Sequence, residues 1–303
     1  MTYSRLANPR ETRAVLEDFG LATKHRLGQN FLVNDEVIGR IVNLADLGEN
    51  DVVLEVGPGI GTLTVAMLPR VSAVCSIEAD RELEPVLGQT CAQDSEKFFL
   101  TMADALRVGP ANLVRGEGVG EPTKFVSNLP YQVAATLILR NFDEFRSLRS
   151  ATVMVQAEVA DRICAAPGSK TYGAYTAKLA LRARPAGRFE VGPGNFMPPP
   201  HVDSAVVRLD RAPMVDPATG EALSDEKIAS VSAVIDAAFA QRRKTIRNSM
   251  AGSGFEKNVL DQAFVACDIA PTTRAERLAP EDFVRLEAAL VACGWLASAA
   301  AAR

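Results

Sequence analysis

Asn128-Leu129-Pro130-Tyr131 carries the most specific chemistry in this sequence. An exocyclic aromatic amine, such as the N6 of adenine, is a poor nucleophile because its lone pair is delocalised into the ring. The Asn128 side-chain oxygen and the Leu129 backbone carbonyl can each accept one of its N–H bonds. That pairing favours a more tetrahedral nitrogen and stabilises the positive charge that develops as a new bond forms. Pro130 fixes the turn and removes a competing donor. Tyr131 offers a ring face on which an extruded base can stack. The same four residues also suit a plain turn ahead of a helix, so their meaning depends on what precedes them.

What precedes them is Glu55-Val-Gly57-Pro-Gly59-Ile-Gly61, directly after the apolar run Val52 to Val56. Glycines there permit a tight turn and let a ligand approach the backbone. A dinucleotide fingerprint needs its third glycine one position later, where Thr62 stands, and a phosphate-cradling loop needs a lysine that this segment lacks. A purely structural glycine turn is the alternative. Glu78 follows about 20 residues on, after Cys75-Ser-Ile77, where a strand-end carboxylate can accept both ribose hydroxyls of an adenosine. Asp104, after the next strand pattern, can accept an adenine amino group. Each acid alone also suits a solvated surface; their order behind the glycine loop links them.

The elements that must position these residues alternate. Val52–Val56, Ala73–Ile77, Phe98–Met102, Lys124–Ser127 and Ala151–Gln156 have strand patterns, with helix-length segments between them. Such alternation predicts an α/β fold with a mainly parallel sheet, which places ligands at the carboxyl ends of its strands. Val202–Leu209 reads as the last strand. Arg211–Leu223 is rich in Pro, Gly, Asp and Ala and reads as a linker or surface loop. Ser224 then caps a helix whose apolar stripe is Ile228, Val231, Ile235, Ala238 and Phe239. The expected division is a catalytic domain over residues 1–211, with an N-terminal extension to about residue 23, and a smaller all-helical domain over 224–303. The tail from Ala297 to Ala302 is expected to fray. Asn195 to Pro200 is expected to be rigid and extended, because its prolines forbid helix.

The E-x-G-x-G-x-G loop resembles that of Rossmann-like methyltransferases, which passes beneath the methionine part of S-adenosylmethionine. The chain as a whole resembles the small-subunit (16S-type) branch of the ribosomal RNA adenine dimethyltransferases. The likeness rests on Leu27-Gly-Gln-Asn-Phe-Leu32, the glycine loop, Ser76-Ile-Glu78, Asn128-Leu-Pro-Tyr131, Asn195-Phe-Met-Pro-Pro-Pro200 with Val202-Asp-Ser204, and Phe239 to Met250. It implies cofactor contacts by Asn30, Leu32, Gly57, Glu78, Asp104 and Asn128, and a role for Phe196 beside Tyr131 at the target base. From residues alone, Gln29-Asn30-Phe31 reads only as a helix-start turn, and Phe196 equally as core. Members of the family transfer two methyl groups to N6 of each of two neighbouring adenosines in a small-subunit rRNA hairpin, late in subunit assembly.

Composition bounds these readings. The 303 residues are 48% hydrophobic and 23% charged, enough for roughly two domains. No apolar run approaches the roughly 20 residues that span a bilayer, and the N-terminal stretch does not read as a signal peptide. A cytoplasmic protein is therefore the expectation; the sequence does not fix an oligomeric state, and a monomer is the default. Five cysteines without a C-x-x-C pair and two histidines, His25 and His201, do not suit a metal site. The net charge of −4 argues against a chain clothed in nucleic acid throughout. A local face can still bind phosphates, and Arg242, Arg243, Lys244 and Arg247 form a run without an intervening acid. That run also suits a solvated helix end. Two alternatives are a large-subunit rRNA adenine methyltransferase conferring antibiotic resistance and an rRNA-binding assembly factor without activity. Phe239-Ala-Gln-Arg-Arg-Lys-Thr-Ile-Arg-Asn248 resembles the small-subunit branch more closely than the first. An intact amine-polarising turn is superfluous for the second.

Overall fold

The structure, a computed structural model, describes residues 2–21 and 30–295. Leu27, Gly28 and Gln29 of the first family motif and the alanine-rich tail lie outside the described residues. The chain forms two compact units, Met1–Ala160 with Pro185–Arg211, and Asp161–Arg184 with Ala212–Arg303. Residues 161–184 and 212–223 therefore group with the helical unit, whereas the sequence suggests a single boundary at 211 followed by a linker.

In chain order the elements of the first unit begin with α1 (Pro9–Asp18), β1 (Phe31–Leu32), α2 (Asp35–Ala45), β2 (Val52–Val56), α3 (Thr64–Met67), β3 (Ala73–Glu78), α4 (Glu84–Thr90) and β4 (Phe98–Met102). They continue with β5 (Lys124–Asn128), α5 (Ala134–Glu144), β6 (Ser150–Gln156) and the start of α6 (Ala157–Ile163). After α7 (Ala174–Ala180), which belongs to the second unit, come β7 (Ala183–Val191), β8 (Phe196–Met197) and β9 (Ser204–Arg211). A seven-stranded sheet has the order β4-β3-β2-β5-β6-β9-β7. From β4 to β6 the pairs are parallel, and β9 runs antiparallel to β6. All five residues of β2 are buried, as expected of a central parallel strand covered on both faces.

The register aligns the functional ends. Val56 pairs with Ile77, Glu78 with Met102, and Asn128 with Met154, so β2, β3 and β5 finish at the same edge. From β2 the chain runs outward to β3 and β4 on one side, then returns to β5 on the other. That reversal opens a crevice beyond the strand ends.

A separate two-stranded ribbon pairs β1 with β8, Phe31 with Met197 and Leu32 with Phe196. The N-terminal extension is docked rather than loose. The backbone N–H groups of Tyr3 and Ser4 donate to the Asp35 carboxylate at 3.0 and 2.7 Å, and the Arg70 guanidinium lies 4.9 Å from the Tyr3 ring centre.

The second unit adds α8 (Asp225–Phe239), α9 (Ile246–Gly252), α10 (Lys257–Ala266) and α11 (Pro280–Ala292). Ser224 caps α8 as the sequence predicts, its hydroxyl accepting from the Lys227 N–H. Val231, Ile235, Ile246, Leu260, Phe264 and Phe283 build its core. Among the described residues no helix is long and apolar enough to cross a membrane.

Candidate active site

The crevice at the strand ends is a cleft of about 800 Å³, open solvent included. Of the expected residues, Asn30, Leu32, Gly57, Glu78, Asn128, Leu129, Pro130 and Tyr131 all line it.

The glycine loop forms its floor. Gly57, Gly59 and Gly61 have φ of 70°, 60° and 88°, a left-handed backbone that glycine adopts without strain. A Cβ on Gly59 would come within 3.2 Å of the Phe31 ring, so β1 is seated directly against the loop.

Glu78 ends β3, only 8% exposed. Its Oε1 accepts the backbone N–H groups of Ala79 and Asp80 at 2.8 and 2.9 Å, which fixes the carboxylate at the cleft wall. Burial pushes its carboxyl above the ordinary range, against the pull of those backbone donors. Asn128 ends β5, and its Nδ2 donates to the Asn30 carbonyl at 3.4 Å. This contact turns Oδ1, the acceptor end of the amide, away from that carbonyl. The Leu129 N–H donates to the Met154 carbonyl at 3.1 Å and ties the turn to β6.

Two expected residues, Phe196 and Asp104, are not among those that line the cleft. Phe196 is 4% exposed, packed in the core and paired with Leu32. It does not line the cleft; it backs the strand that does. Asp104 is exposed and outside the lining. Its Oδ1 accepts the Leu106 N–H at 2.9 Å, capping a turn of 3₁₀ helix.

In the second unit Arg242, Arg243 and Lys244 are exposed in the turn after α8. Arg242 donates to the Lys170 carbonyl at 2.6 Å, which brings the Lys170 backbone beside that turn. Arg247 of the same run meets an acid from outside it. It makes a two-pronged pair with Asp261 of α10, at 2.6 and 2.7 Å. The neutralising acid is 14 residues away and invisible to a scan of neighbouring positions.

The sequence also concealed Glu55, whose side chain lines the cleft yet is 1% exposed. Its Oε2 accepts hydroxyls from Thr64 at 2.7 Å and Ser76 at 2.8 Å. Burial pushes its carboxyl up to about 7, with the Glu78 charge adding to the rise. The available signal was an acid inside a strand that is otherwise wholly apolar. Unfolded, this group titrates near its ordinary 4.5, so between that value and about 7 the folded chain holds a proton that the unfolded chain has lost. Its contribution to stability is fully present below about 4.5 and lost as pH rises through about 7. Glu55→Gln should abolish that slope and exceed the unsubstituted protein's stability at pH 8 by on the order of 3 kcal/mol. Urea unfolding of both proteins across this range tests it; parallel curves would remove Glu55 from the titration.

A glycine floor, a carboxylate on one side and a polar turn on the other, at the reversal of a mainly parallel sheet, are the arrangement of a Rossmann-like methyltransferase. Solved structures agree on the fold. The 23S rRNA methyltransferase ErmE matches with a TM-score of 0.65 at 24% identity, covering 86% of this chain and 100% of that one. A dimethyladenosine transferase from Plasmodium falciparum matches with a TM-score of 0.67 at 21% identity, covering 84% and 95%. The chain belongs to the ribosomal RNA adenine dimethylase family, whose model matches residues 20–291. Similar relatives include the ribosomal RNA small subunit methyltransferase A of Rhodococcus opacus, 42% identical over 93% of this chain and 94% of that protein. Its counterpart from Kineococcus radiotolerans is 39% identical over 94% and 92%.

Proposed function

We propose that this protein transfers methyl groups from S-adenosylmethionine to N6 of two adjacent adenosines in a small-subunit rRNA hairpin, during late subunit assembly. The observation that carries the reading is the meeting of the Asn128–Tyr131 turn with the glycine loop in one cleft. The choice of small-subunit RNA rests on relatives named for it at 42% and 39% identity. A ribosomal substrate implies a cytoplasmic protein, and a monomer suffices for a cleft built from one chain.

The cleft fits the cofactor on its own observations. Glu55 and Glu78 supply two buried acids beside a ligand that carries cationic groups. Among the described residues the Thr62 hydroxyl, buried in the glycine-loop wall, has no hydrogen-bond partner. Glu78 would hold the ribose, Gly57 and its neighbours the methionine end, and Asn30 and Leu32 the opposite wall. When bound, the cofactor supplies an activated methyl on a sulfonium.

The chain's residues then bring the amine to it. Oδ1 of Asn128 and the Leu129 carbonyl accept the two N–H bonds of the target amine. They favour a more tetrahedral nitrogen, whose lone pair is less delocalised into the ring, and stabilise its developing charge. Tyr131 stacks on the extruded base. These are interactions with the transition state, and binding RNA alone would not call for them. Asp104 serves the cofactor adenine only by reaching beyond its capping role.

Arg242, Arg243 and Lys244 would hold RNA phosphates. Labelled-methyl transfer to undermethylated small subunits tests the activity; no incorporation by folded protein would overturn it. In subunit-binding titrations, Arg242→Ala with Arg243→Ala should lower the salt slope by up to about 2. Arg247→Ala, its charge already matched by Asp261, should leave the slope nearly unchanged. Equal effects from both sets would show that the ion pair opens on binding.

A further inference from the structure

Val202-Asp-Ser204 belongs to the motifs that carry the family likeness, and the proposed function gives it no role. In the structure Ser204 is the first residue of β9, completely buried and paired with Gln156 at the end of β6. The Asp203 carbonyl accepts the Ala157 N–H at 2.9 Å, so the backbone on both sides of that pair is locked into the sheet. The Ser204 hydroxyl lies 2.8 Å from the Tyr131 hydroxyl, 73 residues distant in sequence.

Tyr131 itself sits in a turn, beyond the end of β5, which the bond from the Leu129 N–H to the Met154 carbonyl anchors two residues earlier and the bond from the Val133 N–H to the Pro130 carbonyl closes. Its ring lines the cleft and is partly exposed. A tyrosine has two side-chain rotations. Fastening its far end to a fixed point removes most of the freedom of both.

We propose that Ser204 is a positioning residue for methyl transfer: its hydroxyl tethers the Tyr131 phenol to the sheet and sets the plane on which the target base stacks. The proposal rests on Tyr131 being the stacking surface. A ring already held in its working orientation loses no further freedom when the base arrives, so more of the stacking contact appears as productive alignment. A satisfied buried serine would look the same in a static picture, because a hydroxyl removed from water needs a partner. The two roles differ in what the loss of the bond does to Tyr131.

The experiment is a double-mutant cycle in single-turnover methylation of undermethylated small subunits at saturating S-adenosylmethionine. Tyr131→Phe keeps the ring and deletes the tether from one end; Ser204→Ala deletes it from the other. Each should slow transfer roughly fivefold to tenfold, the scale of one neutral hydrogen bond, and the double variant should be no slower than either. Cofactor affinity by calorimetry should stay the same in all three. In ultraviolet titration, with Tyr131→Phe subtracted to isolate this phenol, Ser204→Ala should move its ionisation upward, since the serine opposes the rise caused by burial.

Additive losses in the cycle would show that Ser204 acts on the fold rather than through Tyr131, and would overturn the proposal. Should Ser204→Ala not fold, Tyr131→Phe decides alone, because a wild-type rate there removes the tether's role. Tyr131→Ala separates the two levels. If it is slow while Tyr131→Phe is fast, stacking stands and the tether falls; if it is itself fast, the stacking surface has been misplaced.

Discussion

Asn128→Ala should slow methyl transfer by roughly 10²-fold or more at saturating cofactor, with RNA binding close to that of the unsubstituted protein. The magnitude follows from the place of Oδ1 in the reaction. Before the methyl moves, the amine is neutral and a hydrogen bond to it is worth little. As the new bond forms, the nitrogen becomes cationic, and the same acceptor stabilises it far more strongly. The structure adds a qualification. Nδ2 of Asn128 donates to the Asn30 carbonyl, and Asn30 also lines the cleft, so the alanine variant should loosen one cofactor wall. Some loss of S-adenosylmethionine affinity is therefore expected. Single-turnover rates measured well above the new dissociation constant separate the two effects. A variant that transfers methyl at the original rate would falsify the amine-polarising role of this turn.

Glu78 is the second large effect, and the structure dictates which substitution reveals it. Its Oε1 holds two backbone N–H groups of the following turn, so alanine would disturb the loop as well as the ligand contact. Glutamine keeps an oxygen for those donors and replaces the other with an amide nitrogen, which donates and cannot accept two ribose hydroxyls. Glu78→Gln should weaken S-adenosylmethionine binding by about 1.5–3 kcal/mol, roughly 10- to 150-fold. Its thermal stability should hold or rise, because a buried charge is removed. Calorimetric titration of the folded variant is the measurement. An unchanged affinity would mean that the ribose is recognised elsewhere along the cleft.

Much of this arrangement was legible before any coordinates. The strands that carry Gly57, Glu78 and Asn128 are short apolar runs ending in residues that no buried strand continues with, and β2 and β4 match their expected limits. The helix after Ser224 follows from a cap and a stripe at helical spacing. Edge strand β7 escaped notice because Pro185 and Gly187 interrupt it and most of its middle positions are exposed. A proline lacks the N–H that an interior strand must donate, and the edge of the sheet is where it can be tolerated. The β1–β8 ribbon has two residues per strand, too few for any period to show.

The remaining misses share one cause. Asp261 beside Arg247, Ser204 beside Tyr131 and the hydroxyls around Glu55 are contacts between positions far apart in the chain. Residue type says what each group can do; only the fold says which partner it has. Phe196 shows the same limit from the other side, since an aromatic beside prolines fits a base-stacking surface as well as a core. Its pairing with Leu32 and its 4% exposure place it in the core.

That ribbon also dictates when the cofactor cleft can exist. Phe31 and Leu32 stand against the glycine loop by pairing with Met197 and Phe196, and Asn34 donates to the Asn195 side chain at 2.8 Å across 161 residues. A nascent chain that has released β1 to β6 from the ribosome owns the glycine loop, Glu78 and the Asn128 turn, but one wall of the cleft still lacks its partner strand. Closing a loop of that length is slow, and its entropic cost precedes the contacts that reward it. The ability to hold the cofactor should therefore arrive abruptly, after β8 has emerged and before the helical unit is complete. The protein would thus acquire its cofactor site only once β8, at residues 196–197 of 303, has left the ribosome.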